Sequence, residues 1–122
     1  MTSIYGVRKY TNGSVLRMHV DTVNTHVVSC STFTNKTNTA LPFCNNSMHL
    51  VINVDQDVEE PWPLLILDHD DNEHNVVMQP GDMVLYESAK LLHGRPTVFV
   101  GSHYDNIFAH YKPVSGWDYS WV

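Results

Sequence analysis

His19-Val20-Asp21 combines residue types and spacing suited to chemistry. In a strand, residues i and i+2 project from the same face, so an imidazole and a carboxylate converge there. That pair suits a hard-to-borderline divalent metal, and a third ligand must then come from elsewhere in the chain. His93 is the best partner. It sits in Leu91-Leu92-His93-Gly94-Arg95-Pro96, where an apolar approach ends in a glycine and a fixed proline, a setting that shields an imidazole and holds its orientation. Two histidines and one carboxylate make a facial triad, which leaves three adjacent metal positions open for cosubstrate and oxygen. Taken singly, the acid of HxD merely orients its histidine, and His93 is a satisfied core residue; together they favour the metal reading.

The elements that must position these residues read as short strands. Tyr5–Tyr10 and Val15–Val20 are joined through Thr11-Asn12-Gly13-Ser14, a hairpin signal because Asn-Gly tolerates positive φ. His26–Ser29 and Leu50–Val54 are β-branched runs. Leu64–Leu67 follows Pro61-Trp62-Pro63, and with Asn75–Met78 it flanks a polar turn over Asp68–His74, a second hairpin. Pro80-Gly81-Asp82 is a tight turn feeding Met83–Tyr86, and Thr97–Val100 and His103–Tyr111 complete the set. Strands at this spacing, with no convincing helix and no repeat, predict an all-β sandwich or barrel. Residues 30–50, rich in Thr, Asn and Ser, break the rhythm and read as a surface insertion loop.

With 122 residues, 43% hydrophobic and 16% charged, the chain supports one domain spanning 1–122. A net charge of −6 argues against a phosphate-tracking nucleic-acid binder. No apolar run approaches the roughly 20 residues of a membrane helix, and the start carries no apolar signal region. Cys30 and Cys44 match no zinc spacing. The acidic Asp68–Asn72 run lacks the glycine and glutamate of a calcium loop and reads as a solvated turn. His26, His49, His69, His74 and His110 read as loop or surface residues.

The ordered blocks HVD (19–21), VINVDQDVEEPWPL (51–64), PGDMVLYES (80–88), LLHGRP (91–96) and YDNIFAHYKP (104–113) resemble the prolyl 4-hydroxylase group of Fe(II)/2-oxoglutarate dioxygenases, its alga- and plankton-type members in particular. The resemblance covers nearly the whole chain apart from residues 30–50. It implies a double-stranded β-helix, the jelly-roll core, with His19, Asp21 and His93 as iron ligands. It also implies that 2-oxoglutarate chelates Fe(II), that O2 is reduced as 2-oxoglutarate is decarboxylated to succinate and CO2, and that a ferryl species abstracts hydrogen from a peptide or protein substrate, the expected target being a prolyl residue. L-ascorbate is the implied reductant.

Members of that group anchor the far carboxylate of 2-oxoglutarate with Lys or Arg nine or ten residues after the distal histidine. Ser102 and His103 occupy those positions here. A protonated His103 is one substitute, and Arg95, two residues past His93 on the same strand face, is the other. The group's domains also carry helices and a strand before the segment matching residues 5–10, so the resemblance implies an N-terminally short chain. The compartment stays open, the endoplasmic reticulum or secretory pathway included if further N-terminal sequence precedes this one. The alternative function is a degenerate or truncated metal-binding jelly roll without 2-oxoglutarate turnover. A third reading, a ligand-binding β-sandwich, leans on Trp62, Trp117, Tyr119 and Trp121 as exposed aromatics.

Overall fold

The computed structural model describes residues 3–21 and 49–110, and every regular element among them is a strand. In chain order these are β1 (Ser3–Thr11), β2 (Leu16–His19), β3 (His49–Val58), β4 (Leu64–Leu67), β5 (Glu73–Val76), β6 (Met83–Tyr86), β7 (His93–Arg95) and β8 (Gly101–His110). They form two four-stranded antiparallel sheets, ordered β1-β8-β3-β6 and β2-β7-β4-β5. No described helix is long and apolar enough to cross a membrane.

Period-2 burial makes these runs into strands of a two-layer fold. In β4, Leu64 and Ile66 are buried while Leu65 and Leu67 are half-buried, as expected when alternate side chains face the opposite sheet. The main core gathers Val51, Leu64, Ile66, Met78, Val84, Tyr86 and Leu91 from both sheets. A second cluster of Trp62, Phe99 and Tyr104 fills another part of the interior. The long central pair β3–β8 is pinned by a buried cross-strand bond in which Asn53 Nδ2 donates to Asn106 Oδ1 at 3.2 Å.

Four expectations need correction. The Asn12-Gly13 turn exists, with Gly13 at φ 85° and Ser14 N–H donating to the Thr11 carbonyl, but it does not close a hairpin. β1 pairs with β8 and β2 with β7, so the turn passes the chain from one sheet to the other; hydrogen bonds from Gly13 N–H to the Phe99 carbonyl and from Phe99 N–H to the Ser14 carbonyl hold it there. Thr97–Val100 is irregular, because its backbone serves this docked turn and the Trp62 indole, whose Nε1–H donates to the Thr97 carbonyl at 2.8 Å. The strand lies earlier, at His93–Arg95. Trp62 is buried at 3% exposure in the aromatic cluster rather than exposed. Of the insertion read at 30–50, His49 and Leu50 belong to β3; residues 30–48, the run His26–Ser29 and Trp117, Tyr119 and Trp121 lie outside the described residues.

Candidate metal centre

β2 and β7 bring the first three candidates together. The two strands run antiparallel with His19 opposite His93, their ring centroids 4.5 Å apart. Between the pairs Leu16–Arg95 and His19–His93, β2 carries one residue more than β7, a bulge that re-aims the end of the strand. Gly94 makes the approach feasible: a Cβ there would stand 2.8 Å from the carbonyl oxygens of both Leu16 and Arg17. Just past β2, Asp21 N–H donates to the Ser88 carbonyl at 2.8 Å, which ties the chain to the segment following β6 in the other sheet.

The hydrogen bonds around the two imidazoles select one tautomer. His19 Nδ1 lies 2.8 Å from the Arg17 carbonyl, and His93 Nδ1 lies 2.8 Å from the Leu91 carbonyl. A carbonyl only accepts, so each Nδ1 carries the proton and each neutral ring presents its Nε2 lone pair. Those Nε2 atoms stand 3.5 Å and 3.9 Å from Asp21 Oδ1. Burial pushes the His93 imidazole down to about 4, outweighing its bond to Leu91 and the nearby Asp21, so it is neutral at pH 7. Burial pushes Asp21 up, but contacts with His49 and Ser88 and the charge environment of His49 and His93 win, holding its carboxyl well below the usual range. The neutral His93 thus turns a lone pair toward the carboxylate, and with the His19 Nε2 beside it the three groups make the donor set of a divalent metal site. The three donor atoms lie within 4.8 Å of one another.

These groups open onto a cavity of about 250 Å³. His49 and His110 line it too, against the expectation that they are loop or surface residues. Both are buried, at 4% and 2% exposure, and they pair across β3 and β8 with rings stacked 4.3 Å apart. The strands explain the meeting: β3 and β8 are ten residues each, so the first residue of one meets the last of the other. That register was the only available signal, and it is non-local. Of the remaining histidines, His69 and His74 do lie at the surface, where they pair with Glu87 and Asp68.

Neither substitute carboxylate anchor lines this cavity. Arg95 is buried at 1% exposure inside the aromatic cluster, its guanidinium carbon 4.7 Å and 4.5 Å from the Trp62 and Tyr104 ring centroids. It donates to the Trp62 carbonyl and to the Tyr104 hydroxyl, so its guanidinium is engaged within this cluster and not in the cavity. His103 turns outward to Asp55, with Nε2 3.1 Å from Oδ2. The cation among the described lining residues is Arg8 of β1, whose guanidinium sits 5.0 Å from the Phe108 ring centroid. Compared with family models, with curated proteins and with solved structures, the chain matches none.

Proposed function

We propose that this chain is an Fe(II)- and 2-oxoglutarate-dependent dioxygenase that hydroxylates a peptidyl substrate, with proline the expected target residue. The observation that carries the reading is the convergence of two Nε2 atoms, from half-buried His19 and buried His93, on the Asp21 carboxylate. The strand order supports the jelly-roll form of the sandwich. First pairs with last (β1–β8), then β2–β7, β3–β6 and β4–β5, as when one long hairpin is wound into two sheets.

Fe(II) held by His19, Asp21 and His93 would supply open coordination positions at which 2-oxoglutarate and O2 are converted to succinate and CO2 while one oxygen atom enters a substrate C–H bond. L-ascorbate is the reductant expected to rescue oxidised iron. The Leu91 and Arg17 carbonyls hold the two imidazoles in their ligating tautomer. Arg8, an exposed residue at the edge of the cavity, carries a guanidinium able to pair with a carboxylate through two N–H groups, as an imidazole such as that of His103 cannot. Leu16 and Phe108, both half-buried, supply apolar wall to the same cavity.

Anaerobic titration of the Fe(II)-loaded chain with 2-oxoglutarate tests the reading. A visible charge-transfer band should appear, and with O2 succinate should form in amounts that depend on both iron and 2-oxoglutarate. Absence of both sinks the proposal. A metal-binding domain without 2-oxoglutarate turnover is the second reading, favoured by the placement of Arg95 and His103 away from the cavity. It predicts tight divalent-metal binding with no such band.

A further inference from the structure

Asp21 faces two sets of imidazoles. Its Oδ1 is the atom nearest His19 and His93, whereas Oδ2 lies 3.2 Å from His49 Nδ1. Donor atoms of Asp21, His49 and His110 fall within 4.8 Å of one another, as do those of the first set. His49 is 4% exposed, yet neither of its ring nitrogens has a hydrogen bond of good geometry, and Asp21 Oδ2 has none either. Buried polar atoms are rarely left so, and an ion is one of the few physical explanations.

No protonation state of His49 resolves this by itself. If Nδ1 carries the proton, it stands 3.2 Å from Asp21 Oδ2 without a well-aligned hydrogen bond and leaves Nε2 unpaired; a doubly protonated ring leaves an N–H unpaired instead. Aromatic walls hold the ring where it is, with the Tyr86 and Phe108 centroids at 5.2 Å and 5.5 Å. A cation among Asp21 Oδ2, His49 and His110 would use a lone pair on each imidazole and the carboxylate oxygen that the first set leaves over.

We propose that Asp21, His49 and His110 form a second divalent-metal site, with the Asp21 carboxylate bridging it to the His19–Asp21–His93 site. Two imidazoles and one carboxylate oxygen per ion select borderline cations such as Zn(II), Fe(II), Co(II) or Ni(II) over Mg(II) or Ca(II). One bridging carboxylate holds two ions at the roughly 3.5–4 Å separation of two-metal centres, with water or hydroxide completing each shell. The site goes beyond the dioxygenase reading and does not depend on it, because its ligands are in place whichever reaction the chain performs.

Co(II) titration of the chelator-stripped full chain, read by visible absorption and by elemental analysis after desalting, provides the test. Wild type should retain two equivalents, and His49→Gln, His110→Gln and His19→Gln one each. A wild-type stoichiometry of one that is lost in His19→Gln but kept in His49→Gln overturns the second site and leaves the first standing. One equivalent with the opposite sensitivity supports the second site and removes the iron triad. No retained metal overturns both. Because the buried variants can fail to fold, wild type carries an independent readout. The high-spin Co(II) resonance should grow to one equivalent and weaken toward two as the bridged ions couple, whereas linear growth to two overturns the shared-carboxylate arrangement.

Discussion

The Nδ1 atom of His49 lies 3.2 Å from Oδ2 of Asp21, closer than His19 or His93 comes to Oδ1 of the same carboxylate. The carboxylate is therefore contacted from both sheets: β2 and β7 bring histidines to one oxygen, and β3 brings one to the other. Its backbone tie to Ser88 fixes it at the seam. A side chain so placed transmits any shift between the sheets directly to the candidate metal ligands.

Gly94→Ala tests how the close β2–β7 approach places His19 against Asp21 and His93. The added methyl would stand 2.8 Å from two backbone carbonyl oxygens of β2, atoms that cannot rotate away as a side-chain end can. β2 must move off β7, carrying His19 with it. We expect a stability loss of about 1–3 kcal/mol and at least a tenfold loss in Fe(II) affinity, measured by urea unfolding and by metal titration. Gly6→Ala, where nothing lies within 4 Å, is the control and should change both little.

Arg8→Ala should raise the KM for 2-oxoglutarate while leaving Fe(II) affinity intact. Losing a charge-assisted hydrogen bond to a carboxylate costs about 1.5–3 kcal/mol, or roughly 10- to 150-fold. His103→Ala should leave that KM unchanged, since its ring is engaged with Asp55 at the surface. Steady-state succinate production over a range of 2-oxoglutarate concentrations separates the two variants, and the reverse pattern would restore His103 as the anchor.

Arg95→Met is expected to act on stability rather than on cosubstrate. The guanidinium is sandwiched between Trp62 and Tyr104 and bonds to the Trp62 carbonyl. Removing it leaves that carbonyl and the Tyr104 hydroxyl short of a donor, at a cost of about 1–3 kcal/mol. Chemical unfolding should register the loss, while the metal stoichiometry and the KM for 2-oxoglutarate of the folded fraction stay at wild-type values.

The parts of this arrangement that were legible in the sequence are those set by local spacing. Leu64–Leu67 is bounded by Pro63 and Asp68, and β4 occupies those residues. HxD does bring its two side chains together, but Asp21 stands two residues past the end of β2, and its N–H bond to the Ser88 carbonyl sets its place there. His49 and His110 carried no such signal, since only the register of β3 against β8 brings them together. Arg95 was misread for the same reason. Its i+2 relation to His93 sets the face of the strand but not which end of the interior the long side chain reaches, and the Trp62–Tyr104 sandwich decides that. Charge told little about which cation lines the cavity, because Arg8 enters from a strand far from His93 in sequence.

Acid should destabilise the metal-free chain through His93 in a defined window. Burial pushes its imidazole from an ordinary 6.5 down to about 4. Between those values the unfolded chain binds a proton that the folded chain refuses, so stability falls as pH drops from 6.5 to about 4 and levels off below. The shift corresponds to about 3 kcal/mol. Asp21 acts lower: its carboxyl is held below the ordinary 3.8, so its contribution is present above that value and is lost only as pH falls beneath it. Urea unfolding of the metal-free protein at pH 7, 5.5 and 4.5 should trace the His93 loss, and His93→Gln should flatten the curve over this range while leaving the decline below pH 4. A wild-type profile that is flat from pH 7 to 4.5 would mean that the imidazole titrates normally. The ring would then be partly protonated near neutral pH, and protons would compete with the metal for Nε2.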